Sequence, residues 1–343
     1  MSFQLGVYSF GNTPRQVDGS AGPTAQAVRD LLEAIQLADE VGLDVFGVGE
    51  HHTRGMPLSS PTSIVNAAAA STNRIILSTA VNVLSTDEPI RVFQQLAMAA
   101  AIAPGRIEAV AGRGSSSVTF RLFDFDEADY DTLFRSKLDL LIEINRHEKV
   151  TWAGPHRRRP LHEATIVPRP EVPLPIWLGT GGSPESVYRA VELGLPLFLG
   201  VLGGTPGHWA RYGAAFRSAW KEVRESEPAE VAVAMHGFVA DDDDAARETY
   251  LRYEHRMFVE GLAELGRSAP PAEARAAEYG PDGMVFVGGP DEIARRILRL
   301  HGLLGHSRHI IQMDVGGMPQ AEFLRGIELL GSEVLPRVRA ELG

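Results

Sequence analysis

Eight times along the chain a short apolar run ends in glycine or a polar cluster, and a segment with apolar residues at helical spacing follows. The runs are Leu5–Ser9, Val45–Val48, Ile75–Val81, Ile107–Ala111, Pro175–Gly179, Leu197–Val201, Val231–Val239 and Ile310–Asp314. Strands separated by helices need crossover connections, and these make the strands parallel and bury both faces of the sheet. Eight such units in 343 residues predict an α/β fold, a (β/α)8 TIM barrel occupying 1–343 as one domain. A doubly wound sheet satisfies the same alternation, because strand order is not written in the sequence. Two insertions interrupt the rhythm. Near 150–170, Val150–Trp152 and Ala164–Val167 read as a hairpin after the fourth helix. At 266–283 the pattern dissolves into Ala, Pro, Glu and Gly, which reads as a mobile segment after the seventh strand.

The helical segments carry their own punctuation. Val28, Leu31, Leu32, Ile35 and Ala38 line one face of the first helix, with Thr24 as its expected cap and Gly42 as its stop. Asp87 and Glu88 suit the positive end of the third helix, and Asp241–Asp244 that of the helix after the seventh strand.

Composition narrows the function classes. Net charge is −11 and the basic residues are scattered, so a nucleic-acid backbone is not an expected partner. The one basic run, Arg157–Arg159, sits where a hairpin tip is expected. With no cysteine there is no disulfide, thiolate metal site or cysteine nucleophile. The N-terminus does not read as a signal peptide, and no apolar run reaches the roughly 20 residues of a membrane span. A cytoplasmic protein without membrane attachment is the expectation.

In a barrel the chemistry lies at the carboxyl ends of the strands. Strand two delivers Glu50, His51 and His52. Side chains alternate along a strand, so adjacent histidines do not form a two-imidazole metal site, and no metal is expected. One imidazole is left to face the mouth, where a pKa near neutrality suits proton transfer. Strand four ends in Gly112, Arg113, Gly114 and Ser115, a cation on backbone able to approach a phosphate. Strand five ends in Gly179, Thr180, Gly181, Gly182 and Ser183, just before Pro184. Its N–H groups and the following helix N-terminus also suit an anion. The competing readings are an ordinary cap, with Ser183 at N-cap and Pro184 at N1, and an arginine that pairs with a neighbouring acid. Gly316 and Gly317 form a weaker third candidate. The small residues Ser78–Asn82 end strand three.

Taken in order, Gly49–His52, Ser78–Val81 with Asp87–Pro89, Pro104–Ile107 with Gly112–Ser115, Pro175–Gly179 with the following Gly-Gly-Ser-Pro-Glu, and Asp314–Pro319 resemble the bacterial luciferase-like monooxygenase family. The match covers nearly the whole chain and points to its single-subunit branch. The resemblance implies FMN across the barrel mouth, with Arg113 and Thr180–Ser183 at the phosphate and the isoalloxazine against Ala80–Val81, a bond that family members often hold cis. It implies His51 as acid/base, supported by Glu50 and His52, and a lid at 266–283. It also implies a monooxygenase using reduced FMN from a separate flavin reductase, with O2, on a small organic substrate, and a homodimer. Bacterial luciferase has a cysteine near the reactive flavin carbon. Here that position is Gly112, so neither light emission nor a long-chain aldehyde is implied. Three rival readings predict different behaviour. A deazaflavin enzyme transfers hydride without oxygen, a non-catalytic flavin-binding protein shows no turnover, and a sugar-phosphate aldolase or isomerase binds no flavin.

Overall fold

In the computed structural model, which describes residues 2–114, 117–264 and 268–343, the first strand has a parallel neighbour on each side. Strand β1, Gln4–Ser9, pairs with β2, Val45–Val48, and with β8, Arg308–Gln312. From β2 the ladder runs through β3 (Ile76–Thr79), β4 (Ile107–Gly112), β5 (Ile176–Thr180), β6 (Leu197–Val201) and β7 (Val231–Val239), and returns to β8. The eight parallel strands therefore close, as a TIM barrel does, and a doubly wound sheet, which keeps two free edges, is excluded. Two short strands extend the rim: Asn82–Val83 beside β4, and Phe286–Gly288 beside the end of β7.

Alternation along each strand sorts the core into two layers. Tyr8, Val45, Ala80, Val110, Trp177, Phe198, Ala234 and Ile310 fill the lumen. Leu5, Val7, Phe46, Val48, Leu77 and Ile311 face outward and pack beneath the helices. The lumen closes at the amino ends of the strands with a buried ion pair. Arg308 reaches Glu108 through two hydrogen bonds of 2.5 and 3.0 Å, donates to Gln4 Oε1 at 2.8 Å, and lies over the Trp177 ring at 4.6 Å.

Each helix starts as its local chemistry directs. In α1, Thr24–Glu40, the chain enters through Pro23, and Thr24 is the first helical residue and makes no side-chain cap bond. Then come α2, Pro61–Ala69, and α3, Pro89–Ile102, which is capped by Glu88 on Ile90 N–H. Helix α4 spans Tyr130–Arg146, after a short helix at Ser117–Leu122. The expected hairpin follows as Lys149–Trp152 against Leu161–Thr165, antiparallel. Helix α5, Pro184–Leu193, is capped by Ser183 and stopped by Gly194 at φ +70°. Helix α6 spans Pro206–Val223, α7 Asp243–Glu264 and α8 Pro290–Leu304. Asp242 caps α7 by accepting from the N–H groups of Asp244 and Ala245.

Of the stretch 266–283, residues 266 and 267 lie outside the described residues. The remainder holds a short helix, Ala272–Ala276, and is tied down by buried bonds. Arg275 Nη2 donates to Glu254 Oε1 at 2.9 Å and Tyr279 Oη to Glu254 Oε2 at 2.6 Å. Arg296 donates to the carbonyls of Tyr279, Gly280 and Gly283. The sequence pattern missed these ties because every partner comes from a neighbouring helix. No helix among the described residues is long and apolar enough to cross a membrane.

Candidate active site

Strand β3 stops at Thr79, and the next peptide bond, Ala80–Val81, is cis. The backbone there bulges into the barrel mouth, and glycines on three other strands give it room. A Cβ on Gly47 would lie 2.6 Å from Ala80 Cβ, and one on Gly112 would lie 2.3 Å from Val81 Cγ2. One on Gly179 would lie 2.9 Å from Val81 Cγ1. Gly112 and Gly179 thus seat Val81, a different use from the backbone approach to phosphate that the sequence suggested. Gly114, at φ +76°, makes room for Val83, and its carbonyl accepts from Tyr130 Oη at 2.6 Å. Ser115 lies outside the described residues.

Glu50 anchors the chain just past the bulge. Its Oε2 accepts from Val83 N–H at 2.8 Å and from Asn82 Nδ2 at 3.0 Å, while Oε1 meets His52 Nε2 at 3.0 Å. The His52 ring also packs edge-on against Phe123. His51 diverges from its neighbour because β2 has already ended at Val48, so irregular backbone sets the two directions. The His51 ring meets Phe10 at a centroid distance of 5.8 Å, and its buried Nδ1 has no partner. Burial lowers the His51 pKa from its ordinary value, and the neighbouring His52 lowers it further. A neutral imidazole with a free nitrogen can accept a proton.

Strands β4 and β5 pair, so Arg113 and the Thr180–Ser183 loop end on the same side of the mouth. Arg113 Nη1 bonds Asp131 Oδ1 at 2.8 Å, and the guanidinium lies over the Tyr130 ring at 5.1 Å. Its exposed ion pair is cheap to exchange for another anion. Thr180 Oγ1 accepts from the N–H groups of Gly182 and Ser183 at 3.1 and 3.4 Å. Ser183 caps α5 through Ser186 N–H. These bonds satisfy two N–H groups of the loop internally and leave Gly181, which is open and exposed, as the loop's point of approach. The weaker candidate at Gly316 and Gly317 is filled by Tyr253 backbone and the Arg15 side chain.

Two features escaped the sequence reading. Arg189, on α5, adds a second guanidinium to this corner. Its pKa is lowered by burial, then by Arg113 and Arg135, and its buried Nη1 has no partner. The second feature is a polar wall on β7, β8 and β1. His236, Gln312 and Asp314 are each more than nine-tenths buried there, and His236 Nδ1, Gln312 Nε2 and Asp314 Oδ1 lack partners. Ser9 Oγ donates to Asp314 Oδ2 at 2.5 Å. Burial nonetheless raises the Asp314 pKa to about 7.

Known proteins share this fold. The family model described as luciferase-like monooxygenase matches residues 7–307. The F420-dependent glucose-6-phosphate dehydrogenase of Beutenbergia cavernae is 29% identical over 336 residues, 92% of this chain and 94% of that one. The crystal structure of monooxygenase RslO1 from Streptomyces bottropensis superposes with a TM-score of 0.82 at 23% identity, over 97% of this chain and 99% of that one. The oxygenating constituent of 3,6-diketocamphane monooxygenase from Pseudomonas putida, in complex with FMN, superposes at 0.77 with 19% identity, over 98% and 99%.

Proposed function

The chain belongs to the luciferase-like monooxygenase family, and from that premise we propose that it is an FMN-dependent monooxygenase that oxygenates a small organic substrate with O2. The observation that carries this reading is the Ala80–Val81 bulge, a broad wall of small side chains set on glycines at the centre of the barrel mouth. A flat tricyclic ring fits such a wall, and a sugar phosphate has no use for it. The two guanidiniums of Arg113 and Arg189 stand at one side of the mouth, where the phosphate of FMN would be held with the Thr180–Ser183 loop.

When bound, FMN supplies the redox chemistry with oxygen, and the protein supplies position and proton control. Glu50 fixes Asn82 and Val83 and so holds the wall in place. His51 offers a neutral imidazole nitrogen at the mouth to take or return a proton. His52, bonded to Glu50, acts as a positioning residue. Phe10 beside His51 and Phe123 beside His52 keep water from this edge. Reduced FMN comes from a separate flavin reductase, and the diketocamphane relative is itself an oxygenating constituent. The working form is a cytoplasmic homodimer.

A second reading is favoured by the glucose-6-phosphate dehydrogenase relative, namely hydride transfer to the deazaflavin F420. Reconstitution separates the two. The purified chain is supplied in turn with photoreduced FMN and with F420, each with a panel of small organic substrates. Substrate-dependent oxygen uptake with FMN supports the monooxygenase. F420 reduction without oxygen uptake would replace it with the dehydrogenase.

A further inference from the structure

The polar wall on β7, β8 and β1 carries buried polar atoms without partners. His236 and Gln312 are register partners on β7 and β8. They lie two residues beyond Ala234 and Ile310, both in the lumen cluster, so strand alternation turns both side chains inward at the mouth. Asp314 follows Gln312, bonded to Ser9 at the end of β1. Buried polar atoms are almost always paired. Three unpaired ones on adjacent strand ends, beside the lumen residue Tyr8, mark a place built to receive hydrogen-bonding groups from outside the chain.

Charge decides what kind of group. Among the described residues at inward strand positions the cation is Arg308, and it is spent at the opposite end of the lumen on Glu108 and Gln4. Arg275, behind His236, is already paired with buried Glu254. A carboxylate, sulfonate or phosphate brought to this wall would meet the Asp314 carboxyl, while the guanidiniums described beside this strand end are engaged, Arg15 with Glu260 and Arg256 with the Gly316 carbonyl and the Tyr253 ring. A neutral oxygen is suited to it, since Gln312 can donate to that oxygen and Asp314 can accept from a hydroxyl.

We propose that His236, Gln312 and Asp314 form the substrate-recognition wall, and that they select a neutral molecule presenting a hydroxyl or carbonyl oxygen over an anionic one. This rests on the reading of the barrel mouth as the active site, but not on which flavin fills it. The test is isothermal titration calorimetry on the full chain, with and without FMN. The probes are p-cresol and cyclohexanone as neutral ligands, and benzoate and hexanesulfonate as anions of similar size. The expected result is saturable binding of a neutral probe, with at least tenfold weaker binding of the anions. Gln312→Met, which keeps volume and removes the amide, and Asp314→Asn should each weaken the neutral probe about tenfold, with FMN affinity unchanged. Anion binding equal to or tighter than neutral binding would overturn the proposal. So would unchanged neutral binding in both variants, or no neutral binding at tens of millimolar. FMN titration in the same instrument keeps the two readings apart. Lost FMN binding with intact probe selectivity refutes the flavin assignment alone.

Discussion

Acid should unfold this protein through a pair of histidines far from the mouth. His309 lies on β8 between Leu5 and Val233, facing outward under the helices, and is fully buried. Its Nδ1 is 3.1 Å from His306 Nε2, and its ring stacks on Phe286 at 5.5 Å. Burial pushes the His309 pKa down to about 3, from 6.5 in the unfolded chain. His306 is held well below its usual value by burial, with His309 and His301 adding to the effect. Below pH 6.5 the unfolded chain takes up a proton that folded His309 refuses, so stability falls as pH falls. Each pH unit costs about 1.4 kcal/mol per such group, so His309 alone removes about 2 kcal/mol between pH 7 and pH 5. Removing the imidazole in His309→Gln should flatten the profile. Urea unfolding followed by circular dichroism at pH 7.5, 6 and 5 would measure it, comparing the pH dependence of wild type and variant. Parallel profiles would refute the argument, because His309 would then not be held neutral by its surroundings.

Other expectations follow from single contacts. Gly112→Ala places a methyl group against Val81 and should destabilise by about 1–3 kcal/mol. Adding Val81→Ala should recover most of that loss in a double-mutant cycle, read by thermal and urea unfolding. Glu254→Ala strands Arg275 and releases Tyr279. Limited proteolysis should then cut within 268–283 several times faster than in the wild type. Asp314 titrates in the opposite sense to His309. Its raised pKa contributes stability that is fully present below about pH 4 and lost as pH rises toward 7. Asp314→Asn should remove that decline from the unfolding free energy measured across the same range.

The barrel was legible because its evidence is local. Each strand is an apolar run and each helix an apolar stripe, and even Glu108 did not hide β4 because its neighbours Ile107, Ala109 and Val110 carried the pattern. The caps at Ser183 and Asp242 were legible for the same reason, since cap and helix adjoin in sequence. Motifs at strand ends also announced Glu50–His52 and Arg113. What Glu50 does was not legible, because its partners Asn82 and Val83 lie on another strand end. The polar wall was invisible for a stronger reason. His236 is a single polar residue within an apolar strand, Gln312 ends a strand that also carries Arg308 and His309, and Ser9 is 305 residues from Asp314. Only closure of the barrel brings them together. Likewise the helix Ala272–Ala276 was lost in a small-residue stretch whose order comes from Glu254 and Arg296.

We propose that the mouth holds a flavin with its phosphate between the ends of β4 and β5. It is tested most directly by titrating the apoprotein with FMN, oxidised and then anaerobically reduced, and following flavin absorbance and fluorescence. The expected result is saturable binding that weakens at least tenfold in Arg113→Ala. Binding of neither form at concentrations well above the micromolar range, or binding that Arg113→Ala leaves unchanged, would contradict it.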